Sequence, residues 1–169
     1  MYPADTSNTM FTDKQSEQKE PLSWEYIRGL VDGEGCFTFC PGRRRGNGKK
    51  YKIPTFVIGM NERDASLLEM VKKSLRLRNK IYYRKGSGKD GYKRGCVAVL
   101  MVREFDQLKD IIIPLFYKKL KGYKGVQFTG WLEKIGSDPD VSDRFKSLYR
   151  LYKWGMYDKL SKFTEKFPE

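Results

Sequence analysis

Residues 23–37 read SWEYIRGLVDGEGCF. Ser23 is a helix N-cap residue, and Trp24, Ile27 and Val31 recur at the i, i+3, i+7 spacing of one apolar helix face over 24–33. Leu22, Tyr26, Gly29, Leu30 and Gly33 form a second stripe of apolar or small residues. A helix with two such faces is buried on both, so the second face needs another part of this chain or another copy of it. Glycine inside a helix costs about 1 kcal/mol relative to alanine, and two of them one turn apart point to close approach of a neighbouring backbone. Glu34 arrives where the helix gives out, placing a carboxylate at the foot of that contact.

Downstream, periodicity predicts the order αββαββα with further helix after it. Residues 36–40 alternate in an extended pattern, PGRRRGNGKK breaks it, and 51–60 resume it, which is a long hairpin. Leu67, Leu68, Val71 and Leu75 mark a helix over 62–77. A second hairpin follows from 81–85 and 96–102, joined by a Gly-rich turn, and then helices around 104–118 and 123–135. GSDPDVS at 137–143 is a linker, and 142–165 carries Phe, Leu, Tyr and Lys at helical spacing, with an aromatic content that suits docking. The expected organisation is a flexible N-terminal tail at 1–20, an α+β core at 21–136, and a C-terminal helical extension at 137–169 packed on the core.

The 169 residues carry 34 Lys+Arg against 21 Asp+Glu, a net charge of +13, and the isoelectric point lies near 9.6. Such a balance calls for a polyanionic partner, nucleic acid first. No apolar run is long enough to span a bilayer and no long amphipathic helix is basic on one face alone, so no membrane partner is expected. The chain has no histidine, which removes Ser-His-Asp hydrolysis, His-metal nucleases and His phosphotransfer. Catalysis must run on carboxylates, lysines and a metal. Cys36, Cys40 and Cys96 are too few and too oddly spaced for a zinc site or a disulfide framework. The polar N-terminal stretch has no apolar core of a signal peptide, so the expected location is the cytoplasm (the bacterial nucleoid) or an organellar stroma or matrix, not secretion.

The string IRGLVDGEG at 27–35 resembles the signature of the LAGLIDADG homing endonucleases in their single-motif, homodimeric form. Arg28, where the family usually has a small residue, and Gly33 are the departures. The following Cys-Phe, the αββαββα order over about 22–136 and the basic charge agree with the family, and the chain holds one copy of the motif.

The resemblance implies that motif helices of two subunits pack along a two-fold axis through Tyr26, Gly29, Leu30 and Gly33. Each chain then brings one Glu34 to the axis, where two carboxylates tolerate each other only around divalent cations, with the Gly33 carbonyl as a further ligand. Mg²⁺ suits these hard oxygens, and Mn²⁺ or Ca²⁺ is able to occupy the same site. The implied activity is metal-dependent hydrolysis of both strands of a long pseudo-palindromic DNA target, in the service of intron mobility. Lys124, in LKGYKGVQF at 120–128, matches the family's catalytic lysine. The position that orients the attacking water falls on Met60, with Asn61 as its substitute should the register slip by one.

Recognition falls in this family to a saddle-shaped four-stranded antiparallel sheet in each subunit. With Phe37 and Phe39 under the helices, Thr38 and Cys40 point to double-stranded DNA. Tyr51, Ile53, Tyr82, Arg84, Arg94 and Cys96 are expected on the same face. The loops add Arg43, Arg44, Arg45, Lys49, Lys50, Lys89 and Lys93, and the lysine-rich segment before Lys124 adds Lys119 and Lys121. Two other functions stay open: an intron RNA maturase, and a DNA-binding regulator that has lost cleavage. Retention of Glu34 argues against the second.

Overall fold

A computed structural model describes residues 20–43, 46, 48–86 and 95–159. The order is α1 (Trp24–Glu34), β1 (Gly35–Pro41), β2 (Lys52–Asn61), a single 3-10 turn (Glu62–Asp64), α2 (Ala65–Ser74), β3 (Ile81–Arg84) and β4 (Val97–Val102). Then come α3 (Phe105–Gln107), a π-helical turn (Leu108–Ile112), α4 (Ile113–Phe116), α5 (Lys124–Ser137), α6 (Asp143–Lys153) and α7 (Met156–Lys159). The four strands make one antiparallel sheet in the order β1-β2-β4-β3. The α+β architecture and the αββαββα core order are those expected from the sequence.

Strand alternation divides the sheet into two faces. Phe37 pairs with Phe56, Gly35 with Ile58 and Ile58 with Leu100, and Phe56, Ile58, Ala98, Leu100 and Val102 are buried under the helices. Phe37 stacks among Phe56, Phe116, Phe128 and Trp131, with ring centroids 4.8–5.8 Å apart. The face opposite the helices carries Cys36, Thr38, Cys40, Ile53, Val57, Asn61, Tyr82, Arg84, Val97 and Met101, together with Thr55 and Val99, which are buried. Leu68 and Val71 of α2, Leu132 and Ile135 of α5, Leu148 of α6 and Tyr157 of α7 join the same core, so the C-terminal helices share it.

Four expectations are corrected or sharpened in detail. The helix expected over 62–77 starts with the 3-10 turn and ends at Ser74, where Arg76 takes a left-handed conformation (φ 54°) and the Leu77 N–H closes onto the Lys72 carbonyl. The segment expected as one helix around 104–118 is wound as a π turn over Leu108–Ile112 just before Pro114, which has no N–H to offer the Asp110 carbonyl. The helical stretch expected over 142–165 is parted into α6 and α7 at Trp154–Gly155, with Gly155 at φ 70°; residues beyond 159 lie outside the described ones. Cys96 sits one residue before β4 in phase with Ala98 and Leu100, the helix-side set, not with Tyr82 and Arg84. The N-terminal tail expected at 1–20 is described only at Glu20.

A polar knot fastens α3 to the loop before β3. Buried Gln107 accepts from the Arg78 N–H (2.9 Å) and donates to Asn79 Oδ1 (2.7 Å) and Glu104 Oε2 (3.0 Å). Burial acts to raise the Glu104 pKa, but hydrogen bonds from Asn79, the Arg103 N–H and Gln107 outweigh it and hold the carboxyl below the usual range.

Candidate active site and nucleic-acid face

The side chain of Ser23 accepts from the Tyr26 N–H (3.1 Å) and starts α1. Trp24, Ile27 and Val31 are buried, as the spacing requires. The other stripe faces outward: Tyr26 is 50% exposed, Gly29 and Gly33 are exposed, and Leu30 is half-buried. Among the described residues a Cβ built at Gly29 or Gly33 meets nothing within 4 Å outside the helix's own backbone, so no described part of the chain requires these glycines. The glycine that packing does require is Gly35, where a Cβ would stand 2.5 Å from Val31 Cγ1 as the helix turns into β1. Leu22 precedes the helix; its main-chain N–H donates to Ser74 Oγ (2.9 Å) and its side chain packs against the core.

Glu34 is the last residue of α1 and is exposed. Two residues earlier, Asp32 accepts from the main-chain N–H groups of Lys121 (2.9 Å) and Gly122 (3.2 Å). That contact ties the segment before α5 to the end of α1, and α1 packs on α5, whose first residue is half-buried Lys124. Sequence reasoning did not single out Asp32; the signal was an acid inside the motif, within the last turn of the helix. Arg28, read from sequence only as a departure, is 2% exposed. Its Nε donates to the Leu115 carbonyl (2.9 Å) and its Nη1 to Glu25 (2.6 Å), which pins α1 to α4.

Met60 and Asn61 fall on opposite faces. Met60 pairs with Ala98 and packs against the core, whereas Asn61 pairs with Val97 on the open face with no slip of register. Asn61 Oδ1 accepts from the Arg63 N–H (3.1 Å), capping the 3-10 turn. The residue lies three positions beyond Ile58, the partner of Gly35, or roughly 10 Å along the strand.

Among the described residues no group of three or more His, Cys, Asp or Glu side chains is placed to hold a metal. Both oxygens of Asp32 are taken by N–H groups, which leaves Glu34 as the motif's exposed carboxylate. One exposed carboxylate with nearby helix-end carbonyls suits an ion such as Mg²⁺, which keeps several waters and takes few protein ligands.

The open sheet face carries Thr38 and Ile53, both half-buried, with Cys40 half-buried and Tyr82 and Arg84 exposed at its rim. Trp131 Nε1 donates to the Thr38 carbonyl (2.8 Å), locking β1 to α5 from beneath. Arg43, Lys49 and Lys50 are exposed at the mouth of the first hairpin, where Tyr51 is half-buried. Lys119 and Lys121 are exposed on the segment between α4 and α5. Arg44, Arg45, Lys89, Lys93 and Arg94 lie outside the described residues. No helix among the described residues is long and apolar enough to cross a membrane.

A family profile described as LAGLIDADG endonuclease matches residues 27–135. No curated protein sequence matches the chain. Among solved structures, meganuclease I-CpaMI bound to uncleaved DNA is similar at 18% identity and TM-score 0.56, over 85% of this chain and 46% of that one. Meganuclease I-SmaMI bound to uncleavable DNA is similar at 23% identity and TM-score 0.53, over 70% of this chain and 39% of that one. The chain thus spans less than half the length of these two. The homing endonuclease I-TnaI is similar at 22% identity and TM-score 0.50, over 80% of this chain and 99% of that one.

Proposed function

The chain belongs to the LAGLIDADG endonuclease family, and on that premise we propose that it is a homing endonuclease that cuts both strands of a long pseudo-palindromic DNA target as a homodimer, with Mg²⁺, and so promotes intron mobility. The observation that carries this reading is the placement of Glu34. It is exposed at the end of α1, where an outward stripe of small residues ends at the start of β1. I-CpaMI and I-SmaMI are described bound to DNA, and I-SmaMI also with calcium ions. Matching under half of each while using most of this chain is what a pair of single-motif chains would give.

In this reading Tyr26, Gly29, Leu30 and Gly33 form the two-fold contact, and each copy presents one Glu34 to it. The Glu34 carboxylate and the Gly33 carbonyl would hold Mg²⁺. When bound, the ion supplies charge neutralisation at the phosphate and an acidified water. Lys124 sets its ammonium against the negative charge that grows on the phosphate, a stabilisation that is strongest in a partly desolvated site. Asn61, with its carbonyl oxygen committed to Arg63, keeps its amide NH₂ to hold a water on the open face.

The test is nicking and linearisation of a plasmid bearing the intron-free host allele. Wild-type protein cuts with Mg²⁺ and not with EDTA, and Glu34→Gln binds the same DNA without cutting. Equal cutting by both proteins would refute the site.

A further inference from the structure

β2 outruns β4. Val102, the last residue of β4, faces Phe56, so Lys52–Thr55 have β1 on one side and no strand on the other. Pro54, which has no N–H to offer a ladder, falls in this run. The α5–α6 linker closes one end of the gap. There the Lys52 N–H donates to the Asp140 carbonyl (3.0 Å), Lys52 bridges to Val141, and its ammonium bonds Asp138 (2.7 Å). What stays open is a groove of about 1230 Å³, walled by the mouth of the first hairpin, by Arg103 and Glu104 after β4, and by the first turn of α6.

The groove is basic and continuous with the open sheet face, since Tyr51 and Ile53 line both. Its cations are Arg43, Lys49, Lys52, Arg103, Arg144 and Lys146, against the acids Glu104 and Asp143. Glu104 is already satisfied by Asn79, Gln107 and the Arg103 N–H. Arg43 and Arg103 make no salt bridge with the described residues. Arg144 keeps its guanidinium 5.1 Å from the Phe105 ring centroid, which steadies the cation at the rim. Because β1 runs seven residues from Gly35, the groove lies roughly 20 Å from Glu34, at the far end of the sheet.

We infer that this groove grips the sugar-phosphate backbone of the same DNA duplex, beyond the stretch that the sheet covers; the inference rests on DNA being the partner. The C-terminal extension thereby serves as the outer jaw of the DNA site. Several cations spaced around a groove at the far end of the sheet suit the regularly spaced phosphates of a duplex backbone.

The experiment measures affinity for a long labelled duplex of arbitrary sequence by anisotropy across a salt series. Removing Arg43, Arg103 and Lys146 together by alanine makes the negative slope of log K against log salt shallower by about 0.9 for each phosphate that a protomer no longer neutralises. Lys72→Ala, Lys73→Ala and Arg76→Ala together, which remove the same charge from α2 and the loop after it, leave the slope unchanged. Should the groove triple fail to fold by circular dichroism, Arg103→Gln, which keeps the main-chain bond to Glu104, carries the test with a slope shallower by about 0.9 per protomer. An unchanged slope in the groove variant, or an equal change in both triples, overturns the groove. Failure of wild-type protein to bind duplex DNA at all would instead overturn the proposed function.

Discussion

Asp32 and Glu34 are two residues apart in one motif, and their surroundings give them different work. Glu34 is exposed, while Asp32 spends both oxygens on the N–H groups of Lys121 and Gly122. Hydrogen bonds to an ionised acceptor are the strong kind, so Asp32 fixes the segment that leads into Lys124. Asp32→Asn turns one acceptor oxygen into an NH₂ that faces a donor. The expected result is a stability loss of about 1–3 kcal/mol and a single-turnover cleavage rate lower by 10-fold to 100-fold, on the order that small misplacement costs. DNA affinity stays unchanged. Cleavage by the variant at the wild-type rate, well below its melting temperature, would reduce Asp32 to a structural tie. The sequence displayed the acid but not its partners, because the contact joins residues 32 and 121, and a hydrogen bond across that separation leaves no periodic trace. Arg28 is a parallel case: as a letter it is a poor fit to a buried helix, and its acceptor at Leu115 makes the burial tolerable.

At the scale of elements, the helices and strands that sequence resolves well are those whose burial alternates cleanly. α1 and the four strands stand close to where Trp24, Ile27, Val31 and the β-branched runs put them. The segments it resolves poorly are those shaped by a backbone requirement at a single residue. Pro114 changes the winding before it, Gly155 splits the C-terminal helix, and Arg76 ends α2 in a left-handed turn. The Arg76 turn closes with the Leu77 N–H on the Lys72 carbonyl (3.0 Å), the pattern that usually places glycine at this position. Arginine there bears the clash of its Cβ with the backbone. Arg76→Gly should therefore stabilise the protein by about 0.5–1 kcal/mol, after the extra freedom of glycine in the unfolded chain is subtracted. Thermal melting reads this as a rise of roughly 1–4 °C; a fall would mean that the arginine side chain makes a contact that outweighs the strain.

For the whole molecule, the outward stripe of α1 is the feature that a single chain leaves unexplained. Both glycines sit in a helix where alanine would be better by about 1 kcal/mol each, and neither is crowded by a described residue outside its own helix backbone. The sequence made the demand for a second backbone legible and could not say whose, since a stripe carries no address. The fold narrows the choice, because within the described residues nothing covers Gly29 or Gly33. The proposed two-fold pair would resolve the demand and bring two copies of Glu34 together, coupling assembly to chemistry. Gly29→Leu separates the two accounts. In an isolated chain the leucine enters open space and removes a helix-breaking residue, so folding is kept and melting does not fall. Across a two-fold seam the same side chain pushes two backbones apart. Analytical ultracentrifugation should then show wild-type protein at twice 19.8 kDa and the variant at 19.8 kDa, with cleavage abolished in step. A variant that sediments and cuts like the wild type would place the dimer contact elsewhere and leave the glycines without a role.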